Sequence, residues 1–170
     1  MPGTFPQLLA NLKRADVALA DIPYLIVTHY HPDHAGIVEE VKAAGVRLVV
    51  IEPQRDAIDY MHQNYIKPDS PFIPICLDNN LYVTLHESRS FLKDAGFNGE
   101  IIAAPGHSDD SVSLVFDDGN AFVGDLTLPM MADDENRDVV LASWQRLRNL
   151  HVETLYAGHA PPQHFSRVNM

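Results

Sequence analysis

With 170 residues, 46% of them hydrophobic, the chain has the size and composition of one globular domain, so we expect residues 1–170 to form a single domain. Its 23 acidic and 12 basic residues give a formal net charge of −11, which disfavours nucleic-acid partners because an acidic surface repels phosphate backbones. The sequence shows no signal peptide and no apolar run near the ~18 residues of a membrane helix, so we expect a cytoplasmic protein without membrane contact. Cys76 is the only cysteine, which excludes an internal disulfide. We expect this cysteine to be buried and inert.

The first half of the chain alternates between helical and strand patterns. Apolar residues at helical spacing predict three helices, over residues 4–15, 37–44 and 58–65. Short apolar runs predict two buried strands between them, over residues 24–27 and 48–51. Prolines and an Asn-Asn pair then predict an extended excursion over residues 67–80.

From residue 81 onward the apolar residues alternate with period two, which predicts strands. We expect these strands over residues 81–85, 100–104, 112–116 and 121–123, with a hairpin turn over 117–120. A late helix around Trp144 and a last short strand over 154–157 follow. Because helices and strands are interleaved, the order favours an α/β fold, a sheet covered by helices, over a helical bundle or an all-β barrel.

Residues 29–34 concentrate side chains that bind metals. In an extended segment every second residue points to one side, so His29, His31 and Asp33 are expected on a common face. A turn after Pro32 would bring His34 towards the same point. Burying three imidazoles and a carboxylate is costly unless something binds them, and these groups suit Zn, Fe or Mn. The alternative is a solvated, histidine-rich strand end.

Three further candidates, His107, Asp125 and His159, each follow a predicted strand and a glycine. A glycine at that point lets the backbone turn sharply. Taken singly each is a weak signal, because a lone histidine is more often an ordinary surface or core residue. Together they predict that ligands from several strand ends converge where the loops meet.

The stretch Thr28–Gly36 and the motif Pro105–Ser108 closely resemble the metallo-β-lactamase-fold hydrolase superfamily, and the resemblance runs in order from Phe5 to Pro161. It implies an αββα sandwich, with two mixed sheets and outer helices. It also implies that His29, His31 and His107 hold one metal, that Asp33, His34 and His159 hold a second, and that Asp125 bridges both.

This resemblance implies a dinuclear metal-dependent hydrolase, in which a metal-bridging hydroxide attacks a small ester, thioester or lactone, with phosphodiesters as a further option. The ions expected are two divalent metals, Zn first and Mn or Fe as alternatives, and Asp33 is expected to steer the nucleophile or carry its proton. Two other functions stay open. One is an iron-based oxidoreductase on the same ligands, and the other is a non-catalytic metal-binding or assembly protein.

The sequence also departs from the family pattern. Asp125 stands where some β-lactamases have a cysteine ligand. Because only Ala160–Met170 follow His159, we expect no counterpart of the helical domain of glyoxalase II. The opening residues Met1–Gly3 resemble those after an Asp-x-Gly turn, so we expect the fold to be N-terminally truncated. A sheet that lacks strands exposes its edge, and we therefore expect a homodimer or larger homo-oligomer through that edge.

Several other residues have an ordinary role as the favoured interpretation. Tyr30 lies between predicted ligands and is expected in the core. Four residues on and after the third helix are candidates for lining a substrate pocket: Tyr60, Met61, Tyr65 and Phe72. For the first three, packing in the core is an equal alternative. The remaining histidines have no ligand motif around them: His62, His86, His151 and His164.

Overall fold

The structure, a computed structural model, describes residues 4–168. The predicted truncation point, Met1–Gly3, lies outside the described residues. The chain divides into two compact units. The first comprises the described residues up to Val50 with Gln54–Tyr82, and the second comprises Ile51–Pro53 with the chain from Val83 onward. That residues 1–170 form one domain stays a prediction.

The first unit is built around a short sheet whose described strands have the order β1-β2-β3. These strands are Tyr24–Ile26 (β1), Arg47–Ile51 (β2) and Leu81–Val83 (β3). Strands β1 and β2 are parallel, with Leu25 opposite Leu48. The last four residues of β2 are buried, as expected of a parallel strand covered on both faces.

Three helices of this unit match predicted ones, and a short fourth helix, Pro32–Ala35, was not predicted. The helices are Phe5–Arg14 (α1), Pro32–Ala35 (α2), Val38–Ala43 (α3) and Ala57–Asn64 (α4), with a 3-10 turn at Leu19–Asp21. Another 3-10 turn, Glu52–Gln54, follows β2 in the chain. Side chains of these elements form a common core: Val27, Tyr30, Ala35, Val38, Leu48, Val50, Ile58, Met61 and Ile75. The expected core position of Tyr30 is thus confirmed, and Met61 packs in the core rather than at the surface.

The second unit contains a mixed sheet of five described strands in the order β4-β5-β6-β7-β8. These are Gly99–Ala103 (β4), Val112–Phe116 (β5), Asn120–Gly124 (β6), Thr154–Ala157 (β7) and Gln163–His164 (β8). Only the β6–β7 pair among them is parallel. Its helices are Ser88–Asp94 (α5) and Arg137–Asn149 (α6), with 3-10 turns at Pro129–Met131 and Phe165–Arg167.

Helix α6 covers one face of this sheet. Its residues Val140, Trp144 and Leu147 are buried among apolar side chains from the strands, including Val123 and Leu155. The indole nitrogen of Trp144 donates a hydrogen bond to the carbonyl oxygen of Thr127 at 2.7 Å, so the buried ring keeps a polar partner. Among residues 4–168, no helix combines the length and the apolar character that crossing a bilayer requires.

The expectation that Cys76 is buried is wrong, because this cysteine is exposed. The preceding Ile75 is buried in the core and donates its backbone N–H to Nε2 of His62 at 3.2 Å. Neighbouring side chains of an extended segment point to opposite sides, so burial of Ile75 turns Cys76 towards solvent.

Candidate metal centre

The first group of predicted ligands lies between β1 and α3. His31 has extended backbone, with φ −101° and ψ 153°, as a residue before proline requires. Pro32 then begins α2, since the fixed φ of proline suits the first position of a helix. Strand β1 itself ends at Ile26 and His29 lies in a bend, so the expectation of one extended segment from His29 to Asp33 is wrong. Asp33 and His34 belong to the helical turn instead.

The four side chains of this first cluster still come together. The ring centroid of His29 lies 4.6 Å from that of His31 and 4.1 Å from that of His34. Nε2 of His34 lies 3.6 Å from Oδ2 of Asp33. His29 is buried and the other three are half-buried. The cluster therefore combines one buried imidazole with three side chains that are partly open to solvent.

Buried Gln54 holds the chain that leads into this cluster. Its Nε2 donates to the carbonyl oxygen of Val27 at 2.8 Å and to that of Thr28 at 3.3 Å. Oγ1 of Thr28 lies 3.3 Å from Nδ1 of His29. Sequence reasoning did not single out Gln54, because a glutamine just after a strand carries no signal until its burial is known.

A cavity of about 640 Å³ lies beside the first cluster. It is lined by Pro32, Asp33, residues 65–67 and residues 69–71. Tyr65 is exposed, and its ring lies nearly perpendicular to that of His31 at a centroid distance of 5.0 Å. Of the residues expected either to line a pocket or to pack in the core, Tyr65 is the one found among the lining residues of this cavity.

The second group of predicted ligands comes from three strand ends of the second unit. His107 follows β4, Asp125 follows β6 and His159 follows β7. The glycines before the first two have positive φ, +136° at Gly106 and +56° at Gly124, a conformation that favours glycine. The prediction of sharp glycine turns at these two ligands is confirmed.

Asp125 lies between the two histidines of this second cluster. Its Oδ2 is 3.3 Å from Nε2 of His159 and 3.9 Å from Nε2 of His107. The Asp125 side chain is 17% exposed and that of His159 is 62% exposed, so the cluster is open on the His159 side.

All seven predicted ligands thus occur in two clusters of imidazoles and carboxylates, one in each unit. Imidazole nitrogen and carboxylate oxygen are the donors that Zn, Fe and Mn accept, so the residues present fit a divalent metal. That the two clusters form one dinuclear centre stays a prediction.

Curated proteins resemble the chain over most of its length. The beta-lactamase-like protein 2 homolog of Drosophila melanogaster is 28% identical over 159 residues, which cover 91% of this chain and 50% of that protein. A hydroxyacylglutathione hydrolase of Rhodopseudomonas palustris (strain BisB18) is 28% identical over 161 residues, which cover 89% of this chain and 52% of that enzyme. The chain therefore spans about half the length of the curated relatives it matches.

Solved structures share its fold. The BLEG-1 B3 metallo-beta-lactamase superposes with a TM-score of 0.73 at 21% identity, over 95% of this chain and 79% of that chain. A metallo-beta-lactamase family protein of Thermus thermophilus gives 0.67 at 21% identity, over 95% and 62%. A protein in a di-iron-bound form gives 0.64 at 20% identity, over 99% and 85%.

These comparisons confirm the α/β fold with two sheets and helices that the resemblance implied. The fold is a metal-binding one, and the clusters of histidine and aspartate side chains described above are consistent with that property. The sequence model of the metallo-beta-lactamase superfamily matches residues 1–159, and the chain therefore belongs to that superfamily.

Proposed function

We propose that the chain acts as a metal-dependent hydrolase with two divalent ions, on a small ester, thioester or lactone. The observation that carries the proposal is the pair of clusters in which all seven predicted ligands occur. In this proposal the clusters together form one centre. His29, His31 and His107 would hold one ion, Asp33, His34 and His159 would hold the other, and Asp125 would serve both.

The donor chemistry and the relatives support hydrolysis. The carboxylates of Asp33 and Asp125 offset part of the charge of two divalent cations, and no cysteine is needed as a ligand. Two of the relatives are hydroxyacylglutathione hydrolases, which supports an acyl compound as the substrate. Zinc is our first choice of ion, and iron is kept as the alternative because a protein of the same fold is known in a di-iron-bound form.

In the proposal, the cavity beside the first cluster receives the substrate. Its lining combines apolar Pro32, Ile66 and Pro71 with charged Asp33, Lys67 and Asp69. In the proposal, the acyl chain contacts the apolar residues and its reacting carbon lies near the carboxylate of Asp33. Bound divalent ions polarise a carbonyl and lower the pKa of coordinated water. With the ions bound, the carboxylate of Asp33 would steer the attacking water or carry its proton.

Metal content and hydrolysis, measured on the same preparations, test the proposal. After loading with Zn or Mn, elemental analysis is expected to find up to two ions per chain, and a panel of esters, thioesters and lactones is expected to contain a substrate. His107→Ala should lose one ion and the activity, whereas His159→Ala should mainly weaken the second ion.

His86→Ala is the matched control, because His86 is exposed and has no ligand motif around it. This variant should keep the metal content and the activity of the unmodified chain. A folded chain with well below one ion, or a His107→Ala variant with unchanged hydrolysis, would contradict the proposal.

A further inference from the structure

A single hydroxyl joins the two loops of the second unit that carry His107 and Asp125. Thr127 lies two residues after Asp125, and its Oγ1 donates a hydrogen bond to the carbonyl oxygen of Gly106 at 3.2 Å. Gly106 directly precedes His107 in the chain. Because the bonded residues are 21 positions apart, this contact links one loop to the other rather than stabilising either alone.

Helix α6 fixes the Gly106 side of this contact. A Cβ added to Gly106 would lie 2.7 Å from Cγ2 of Val140, so the loop backbone lies directly against the helix. The buried hydroxyl of Ser143 donates to the carbonyl oxygen of Pro105 at 2.8 Å. The carbonyl oxygens of the two residues before the ligand are therefore both bonded by side chains.

The Thr127 side is fixed from the core. Trp144 is 1% exposed and donates from Nε1 to the carbonyl oxygen of Thr127 at 2.7 Å. Nδ2 of Asn136 also donates to the carbonyl oxygen of Gly106, at the longer distance of 3.4 Å. Without the Thr127 hydroxyl, Gly106 would keep only this longer bond of the two.

We propose that Thr127 is a positioning residue for the metal ligands. Its hydroxyl holds the His107 loop against the Asp125 loop and so sets the distance between the two ligands, 3.9 Å from Nε2 of His107 to Oδ2 of Asp125. The inference rests on the proposed function, in which both side chains bind metal. Contacts just outside a metal's ligands orient those ligands, and their removal lowers metal affinity by roughly 10- to 100-fold.

The first test compares Thr127→Val, which keeps the side-chain shape without a donor, with Thr127→Ser, which keeps the hydroxyl. Co(II) affinity is measured by competition with a chelator, and the visible absorption of the bound Co(II) is recorded. Thr127→Val is expected to bind Co(II) about tenfold more weakly with an altered spectrum, while Thr127→Ser stays close to the unmodified chain. A folded Thr127→Val variant with unchanged affinity and spectrum overturns the proposal.

Hydrogen exchange on the metal-free chain separates this inference from the proposed function. Backbone amides of residues 106–111 should exchange faster in Thr127→Val and at the original rate in Thr127→Ser, whether or not the chain binds Co(II). If the unmodified chain binds no Co(II) while this pattern holds, the proposed function fails and the loop contact stands. Equal exchange in both variants overturns the contact's role.

Trp144→Phe supplies a second variant in case Thr127→Val folds poorly. It keeps an aromatic ring in the core and removes the donor to the Thr127 carbonyl oxygen. We expect Trp144→Phe, like Thr127→Val, to bind Co(II) more weakly than the unmodified chain. A Trp144→Phe variant that folds and binds Co(II) like the unmodified chain counts against the proposal.

Discussion

Replacing Gln54 by leucine tests how the first cluster is held in place. Gln54 is 0% exposed and donates to the carbonyl oxygens of Val27 and Thr28 at 2.8 and 3.3 Å. Leucine removes the donor and leaves both acceptors, and a buried acceptor without its donor costs about 1–3 kcal/mol. The longer bond counts for less, so we expect unfolding free energy to fall by about 2–3 kcal/mol, or about 4–12 °C in Tm.

The measurement is urea unfolding of the chain in EDTA, so that metal binding does not contribute. Gln63→Leu is the matched control, because Gln63 is exposed on α4 and its replacement should change stability by less than about 0.5 kcal/mol. If Gln54→Leu proved as stable as Gln63→Leu, the two hydrogen bonds would not be what holds the segment before the ligands.

Three further predictions concern backbone strain, pH and metal. A strained backbone alone costs about 1–3 kcal/mol, and Gly106→Ala should lower the free energy of unfolding by more than that, because the new Cβ also meets Val140. Gly96→Ala is the control for strain without a clash, since Gly96 has φ +92° and its Cβ would have nothing within 4 Å. Equal losses for the two variants in urea unfolding would exclude the clash. Burial lowers the pKa of His62 in the folded chain. The stability that the neutral imidazole confers is therefore present above its unfolded pKa of about 6.5 and is lost as pH falls through the lower folded pKa. His62→Gln keeps an acceptor for the Ile75 amide without titrating, and should lose less stability between pH 7 and 5; an unchanged pH dependence would count against this role. Finally, Zn at about 100 times its Kd should stabilise the metal-free chain by about 2.7 kcal/mol, which EDTA should reverse in a thermal-shift assay, and an unchanged Tm would speak against metal binding.

Much of the fold was predictable because its elements carry their own periodicity. Strands Val112–Phe116 and Thr154–Ala157 occupy the predicted residues. Helix α5 was not predicted, since of its residues only Ser88 and Leu92 are buried, which leaves no apolar stripe. Ser88 is tied down by hydrogen bonds between its hydroxyl and the backbone of Ile101, a distant partner that a local pattern does not reveal.

The candidate site divides in the same way. The seven predicted ligands stand out in the sequence because imidazoles and carboxylates at strand ends are unusual on chemical grounds. Gln54 and Thr127 do not stand out, because each acts through a backbone carbonyl that folding brings to it. The position of Asp33 was misjudged for a local reason, since proline can continue an extended segment or begin a helix, and here Pro32 begins α2.

The two clusters differ in the length of chain that separates their residues. The first cluster is confined to residues 29–34, whereas the second gathers side chains spread over residues 107–159. Because closing a loop costs free energy that grows with the logarithm of its length, a roughly tenfold longer loop costs about 2 kcal/mol more. On this cost alone, we expect a refolding chain to bring the four side chains of the first cluster together before those of the second. If these side chains bind metal, as proposed, the ion that is abundant during folding should occupy this cluster first, and refolding in different metals should give different metal contents even when the finished proteins share one structure.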